Sequence, residues 1–181
     1  MKKIVYNENV FIVENFMTEN ECAEIIKWSE EQNFEEAKIN IQGNQTMMKG
    51  VRNNDRLMYI DFDKSEKLWH LIQPYCETII GKTKAIGLNE MLRIYKYSEG
   101  QRFKKHYDGS YERNEFEFSI YTFMIYLNHD FEGGNTWFKD FEIKPKTGTA
   151  LVFLHDILHE GMEIIKGKKY VLRTDIMYQL I

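Results

Sequence analysis

The chain has 181 residues, a formal net charge of −4, 43% hydrophobic and 14% aromatic residues, and only two prolines. That length suits one well-buried core and is short for two domains, which typically take roughly 100–150 residues each. The composition is that of a packed protein, and the weakly acidic balance offers no global attraction to a phosphate backbone or an anionic membrane, so neither nucleic acid nor membrane is an expected partner. The opening MKKIVYNENVFIV interrupts its apolar run with Asn and Glu, and no apolar run approaches spanning length, so a cytoplasmic location is the expectation. Cys22 and Cys76 are far apart in sequence and are expected to be reduced thiols.

The first expected element is a short strand at VFIV, residues 10–13. Thr18 followed by Glu21 forms a capping box that opens a helix carrying Cys22, Ile25, Ile26 and Trp28. Residues 39–54, INIQGNQTMMKGVRNN, lack periodicity and are expected to be a loop able to act as a lid, with Met47 and Met48 in it; a strand is expected over 51–60. In SEKLWHLIQPYCETII the residues Leu68, Leu71, Ile72, Tyr75 and Ile79 recur at helical spacing, which predicts a second helix bent or interrupted by Pro74.

From about Leu88 onward, runs rich in β-branched and aromatic residues alternate with short turns: MLRIYKY, FSIYTFMIYL, TWF, FEI, TALVFL and KKYVLRTDIMY. Many short strands without intervening helices predict an antiparallel sandwich or jelly roll. The expected fold is α+β and mainly β, a single domain over 1–181 with helical support in 1–87 and a jelly-roll core in 88–181. The aromatic series Phe116, Phe118, Tyr121, Phe123 and Tyr126 is expected to be sheet core.

Within KKHYDGSY, His106 and Asp108 share a strand face, because side chains at i and i+2 point the same way. Two ligands alone are weak evidence. Of the remaining histidines, His70 is expected at a core edge or the surface and His129 in a solvated turn, which leaves His155 and His159. The strand-like run before them and the glycine after oppose a helical zinc pair, so His155 is read as a turn residue and His159 as the third ligand. Two histidines and one carboxylate occupy one face of an octahedral metal and leave three positions open, the arrangement of non-haem Fe(II) oxygenases. Further along the next strand, Lys169, Val171 and Arg173 share a face. A cation inside an apolar barrel needs a partner, and a ligand carboxylate would serve, with Tyr97 donating a second hydrogen bond.

Tyr97-x-x-Gly100-x-x-Phe103-x-x-His106-x-Asp108, then Thr122-x-x-x-Tyr126-Leu127, Gly133-Gly134-Asn135-Thr136-x-Phe138, and His159 with Gly167-x-Lys169, resemble in order and spacing the prolyl 4-hydroxylase-like branch of the 2-oxoglutarate and Fe(II)-dependent dioxygenases. The resemblance runs through roughly half the chain. It implies iron held by His106, Asp108 and His159, and 2-oxoglutarate anchored by Lys169 with Tyr97 assisting; Arg173 competes for the anchor role. It also implies O2 as co-substrate, with ascorbate an open addition. Arg52 and Asn54, on a strand resembling the family's substrate-facing one, are the substrate-contact candidates, with a structural hydrogen-bonding role as the alternative. Asn135 stands where many relatives have glutamate. The implied activity is hydroxylation of a C–H bond in a peptide residue, proline among the options, or in a small metabolite, with release of succinate and carbon dioxide. The alternative is a non-catalytic jelly roll that binds metal and a dicarboxylate for sensing or sequestration.

Overall fold

The structure, a computed structural model, describes residues 1–41, 44–46, 48 and 50–181. Its largest sheet has ten strands. Across it run Lys2–Asn7, Val10–Glu14, Ala150–Leu154, Glu117–Tyr126, Lys169–Leu180, Met91–Tyr97, Asp55–Ile60 and Glu35–Glu36, with Thr83–Leu88 pairing the far half of Lys169–Leu180 and itself joined by Ile79–Ile80. A smaller sheet of Phe103–His106, His159–Gly161, Thr136–Phe138 and Glu142–Ile143 carries two of the expected ligands. Every pairing in both sheets is antiparallel, as the turn-separated strand pattern predicts.

Strand periodicity divides the core into two layers. Leu92, Ile94, Phe123, Ile125, Ala150, Val152, Tyr170 and Leu172 point to one face of the large sheet and pack with Cys22, Ile25, Leu68, Trp69 and Ile72 of the helices Glu19–Glu30 and Phe62–Ile72. Their neighbours Tyr95, Tyr97, Tyr126, Leu151, Phe153 and Val171 point the other way and pack with Phe138, Ile143 and Ile164. Each buried Leu, Ile or Phe contributes roughly 1.5–3 kcal/mol relative to exposure. Covered on both faces, Lys169–Leu180 is buried almost throughout, so any ionisable group on its inner face must find a partner inside the protein.

The expected capping box is present: the Thr18 hydroxyl accepts from Glu21 N while the Glu21 carboxylate accepts from Thr18 N at 2.8 Å. Both cysteines are free thiols. No helix among the described residues is long and apolar enough to cross a membrane.

Several boundaries differ from expectation. Pro74 sits in a single 3-10 turn, Gln73–Tyr75, that ends the second helix, and Ile79 belongs to a strand; proline lacks the N–H needed to continue the ladder. The described part of 39–54 is not all loop: Ile39–Ile41 pairs antiparallel with Asn44–Thr46, and Arg52 bridges to Phe103. Met47 lies outside the described residues, and Met48 is exposed. The strand expected from residue 51 begins at Asp55. The first 87 residues are more than helical support, because Lys2–Asn7, Val10–Glu14, Asp55–Ile60 and most of Thr83–Leu88 extend the large sheet. Phe116 precedes its strand and is exposed, whereas Tyr121, Phe123 and Tyr126 are core.

Candidate metal centre

His106 ends one strand of the smaller sheet and His159 opens its antiparallel neighbour, and the two are direct cross-strand partners. Such pairing brings side chains on the same face within contact. Their rings lie 4.2 Å apart between centroids. Asp108, two residues beyond the strand end, is tied back by its N–H to the His155 carbonyl at 3.1 Å. Its Oδ1 is 3.6 Å from His106 Nε2 and its Oδ2 is 3.6 Å from His159 Nε2. One donor atom from each of the three lies within 4.8 Å of the others.

The tautomers suit a cation. His106 Nδ1 meets the Lys104 carbonyl at 2.7 Å and His159 Nδ1 meets the Ile157 carbonyl at 2.9 Å. A ring nitrogen facing a carbonyl carries a proton, which in a neutral ring leaves the Nε2 lone pair toward the centre. Burial pushes the His159 imidazole down to about 4, against the pull of Asp108, so the ring is neutral at pH 7. Phe103 stacks on His106 at 3.4 Å and Phe153 meets the His159 ring edge-on at 4.5 Å, holding both rings in place. Burial alone would raise the Asp108 carboxyl, but Arg173 and the two histidines keep it well below the usual carboxylate range. Two imidazoles and one ionised carboxylate form the donor set expected for Fe(II), and the residues fit that ion.

These groups open onto a cleft whose walls include Tyr95, Tyr97, Phe103, Thr122, Lys169 and Arg173. Lys169, Val171 and Arg173 share its wall, as their spacing predicts. The two cations differ in what they touch. Arg173 contacts Asp108 at 3.1 Å, Asp175 at 3.4 Å and the Tyr95 hydroxyl at 3.1 Å. Lys169 donates to the Gly134 carbonyl at 2.6 Å and has no carboxylate partner among the described residues. Burial pulls its ammonium down to about 7. A buried cation without a counter-charge is costly, and a dicarboxylate entering the cleft would supply one. Gly134 makes this possible: it has φ +65°, and a Cβ there would lie 2.4 Å from Ile164 Cδ1. Burial raises the Tyr97 phenol to about 12, so its hydroxyl stays a donor.

The family profile of the 2OG-Fe(II) oxygenase superfamily matches residues 92–174, the stretch that holds all three clustered ligands and both inner cations. A prolyl 4-hydroxylase homologue from Acanthamoeba polyphaga mimivirus is 28% identical over 182 residues, covering 89% of this chain and 71% of the relative. The match over residues 92–174 and this relative support a 2OG-Fe(II) oxygenase of the prolyl 4-hydroxylase-like branch. The oxygenase fold extends well beyond the matched stretch. The viral collagen prolyl hydroxylase of Paramecium Bursaria Chlorella virus-1, in its 2OG complex, superposes with TM-score 0.67 at 19% identity over 96% of this chain and 98% of that one. A prolyl hydroxylase of Trichoplax adhaerens, in complex with a hypoxia inducible factor peptide fragment, gives TM-score 0.70 at 16% identity over 94% and 84%. The double-stranded β-helix is thus the fold of this chain, and Fe(II), 2-oxoglutarate and O2 are the reagents of the matched family.

Other candidates fall elsewhere. His155 is in a turn, as expected, but is buried, with Nε2 3.6 Å from Asp175 Oδ1. His70 and His129 are exposed. Asn54 is fully buried and does not line the cleft; its Oδ1 accepts from Arg52 Nε at 2.7 Å. The Arg52 guanidinium lies between the Tyr95 and Phe103 rings, 4.4 Å from each centroid, and so backs two walls of the cleft. The two candidates thus bond to each other, and neither is among the residues that line the cleft. Asn135 donates to Glu142 at 2.9 Å. Sequence reasoning gave no role to Thr122, Tyr95 or Asp175, although Tyr95 and Asp175 lie two residues from named candidates, Tyr97 and Arg173, and the same period would have found them.

Proposed function

We propose that this oxygenase hydroxylates a C–H bond of a peptidyl residue, with proline the first choice, using Fe(II) held by His106, Asp108 and His159 and 2-oxoglutarate anchored by Lys169. The observation that carries the reading is the convergence of those three donors on a cleft also lined by buried Lys169, which has no carboxylate partner among the described residues. The names of the relatives support the substrate class, since they are prolyl hydroxylases and one is seen with a peptide.

Bound iron with 2-oxoglutarate supplies the activation of O2, with release of succinate and carbon dioxide. The protein's own groups do the rest. The carbonyls of Lys104 and Ile157 fix the histidine tautomers so that both Nε2 lone pairs face the centre. Lys169 pairs with the distal carboxylate of the diacid, and the Tyr97 hydroxyl donates to it. Phe103, Met124, Phe153 and Val171 supply apolar walls that keep bulk water away from the reacting atoms. No feature of the centre favours a binding-only role.

The test is succinate formation from 2-oxoglutarate with Fe(II), using proline-containing peptides, free proline and other amino acids as substrates, with product mass determined. Turnover that depends on peptide and adds one oxygen to proline is the expected result. Wild-type protein that matches His159→Ala with every substrate would overturn the reading.

A further inference from the structure

Asp108 lies beyond the end of its strand, where its N–H bonds to the His155 carbonyl. Its carboxylate is nevertheless fixed at one oxygen. Each oxygen lies 3.6 Å from one imidazole Nε2, Oδ1 from that of His106 and Oδ2 from that of His159, but Oδ2 also accepts from the Thr122 hydroxyl at 2.5 Å and meets Arg173 Nη2 at 3.1 Å. We propose that Arg173 is a positioning residue which, together with Thr122, holds Asp108 Oδ2 so that only Oδ1 is offered to the metal. The inference rests on the metal site proposed above.

The support behind Arg173 runs through three adjacent strands. Asp175 Oδ1 lies 3.4 Å from Arg173 Nη2, and Asp175 Oδ2 lies 3.1 Å from Arg93 Nη1. The Tyr95 hydroxyl accepts from Arg173 Nη1 at 3.1 Å. Thr122 is the cross-strand partner of Asp175, and Arg93 that of Arg173, so the ladder itself sets the spacing. Charges alternate along the chain from Asp108 through Arg173 and Asp175 to Arg93, and each buried charge meets its opposite. Both terminal nitrogens of Arg173 are therefore engaged, Nε alone of its donors lacking a partner among the described residues, whereas the Lys169 ammonium meets no carboxylate among them.

The consequence concerns coordination number. A carboxylate free to turn can chelate with both oxygens, and the second would take a position that a diacid and O2 require. Two donors on Oδ2 oppose that, and a planar guanidinium held by a second carboxylate keeps its orientation better than a lysine would. Partners of metal ligands are commonly worth 10–100-fold in metal affinity or activity.

The experiment compares wild type, Arg173→Met, Thr122→Val, Thr122→Ser and Lys169→Met. It reads Mn(II) affinity by calorimetry, the ligand-field absorption of the Co(II)-loaded proteins, and 2-oxoglutarate binding to the Mn(II) forms. Arg173→Met and Thr122→Val are expected to lose about 10–100-fold in Mn(II) affinity and to shift the Co(II) spectrum. Thr122→Ser should restore both, and Lys169→Met should lose 2-oxoglutarate while keeping wild-type metal affinity. Arg173→Met with wild-type metal affinity and spectrum but no 2-oxoglutarate binding would make Arg173 the diacid anchor and overturn the inference. If Arg173→Met does not fold, the near-isosteric Thr122→Val decides: unchanged affinity and spectrum there refute it. Wild-type protein that takes up neither metal would instead overturn the site reading, a result distinct from either.

Discussion

His106 and His159 face each other as cross-strand partners in an antiparallel pair, 4.2 Å between ring centroids. Their meeting depends on strand register, because a slip of one residue would turn one imidazole to the opposite face of the sheet. Phe103 and Phe153, packed on the two rings, hold the pair against that slip.

The three ligands should differ in what their loss does to the fold. Asp108 compensates buried Arg173, so Asp108→Asn should cost about 3 kcal/mol of unfolding free energy besides abolishing metal uptake. His106→Ala removes an imidazole and should abolish metal uptake at a smaller cost in stability. Urea unfolding of the metal-free proteins separates the two; equal losses would show that the Asp108–Arg173 pair is not the stronger structural tie.

Lys169 makes the ligand-free protein sensitive to pH. Its folded value is about 7 against an ordinary 10.5, so between these the unfolded chain binds a proton that the folded chain lacks. Stability contributed by this group therefore rises with pH above about 7, by at most about 1.4 kcal/mol per unit. Tyr95 acts with the same sign: burial raises its phenol, but Arg173, Arg52 and Arg93 bring it to about 7. The difference in slope between wild type and Lys169→Met, measured from about pH 7 to 8.5, isolates the lysine.

Binding of the diacid should show the linked effect. If the ammonium is the form that pairs with a carboxylate, binding above pH 7 takes up a proton, and affinity falls by up to about tenfold per pH unit. Calorimetry of 2-oxoglutarate binding in buffers of different ionisation enthalpy counts that proton; zero uptake at pH 8 would argue for another anchor.

Gly134 sets the carbonyl that receives Lys169. Gly134→Ala must leave φ +65° or displace Ile164, so 2-oxoglutarate affinity should drop at least about tenfold while Mn(II) affinity holds. Titrating both ligands into the variant checks it.

At a distance from the cleft, Thr18→Ala should cost about 1 kcal/mol through loss of the helix cap, with no change in metal or 2-oxoglutarate affinity. A thermal melt and the same titrations provide the comparison.

Much of this architecture could be read from the chain alone because its signals are local. Period-two alternation located the long strands, Thr18 and Glu21 marked a helix start, and even spacing put Lys169, Val171 and Arg173 on one wall. The resemblance of ordered motifs then joined His159 to His106 and Asp108. Spacing could not separate Lys169 from Arg173, since both satisfy the same period; their neighbours distinguish them, and those neighbours come from Tyr95, Asp108, Gly134 and Asp175 on other segments. The pairing of N-terminal strands with the large sheet, the burial of Asn54 and the placing of Arg52 between two rings likewise arise from contacts between segments remote in sequence. The sequence by itself determined which side chains share a face, because backbone geometry repeats every two residues. Tertiary structure alone decided which buried cation meets a carboxylate and which meets none among the described residues, because charge compensation depends on what the folded chain brings within a few ångströms.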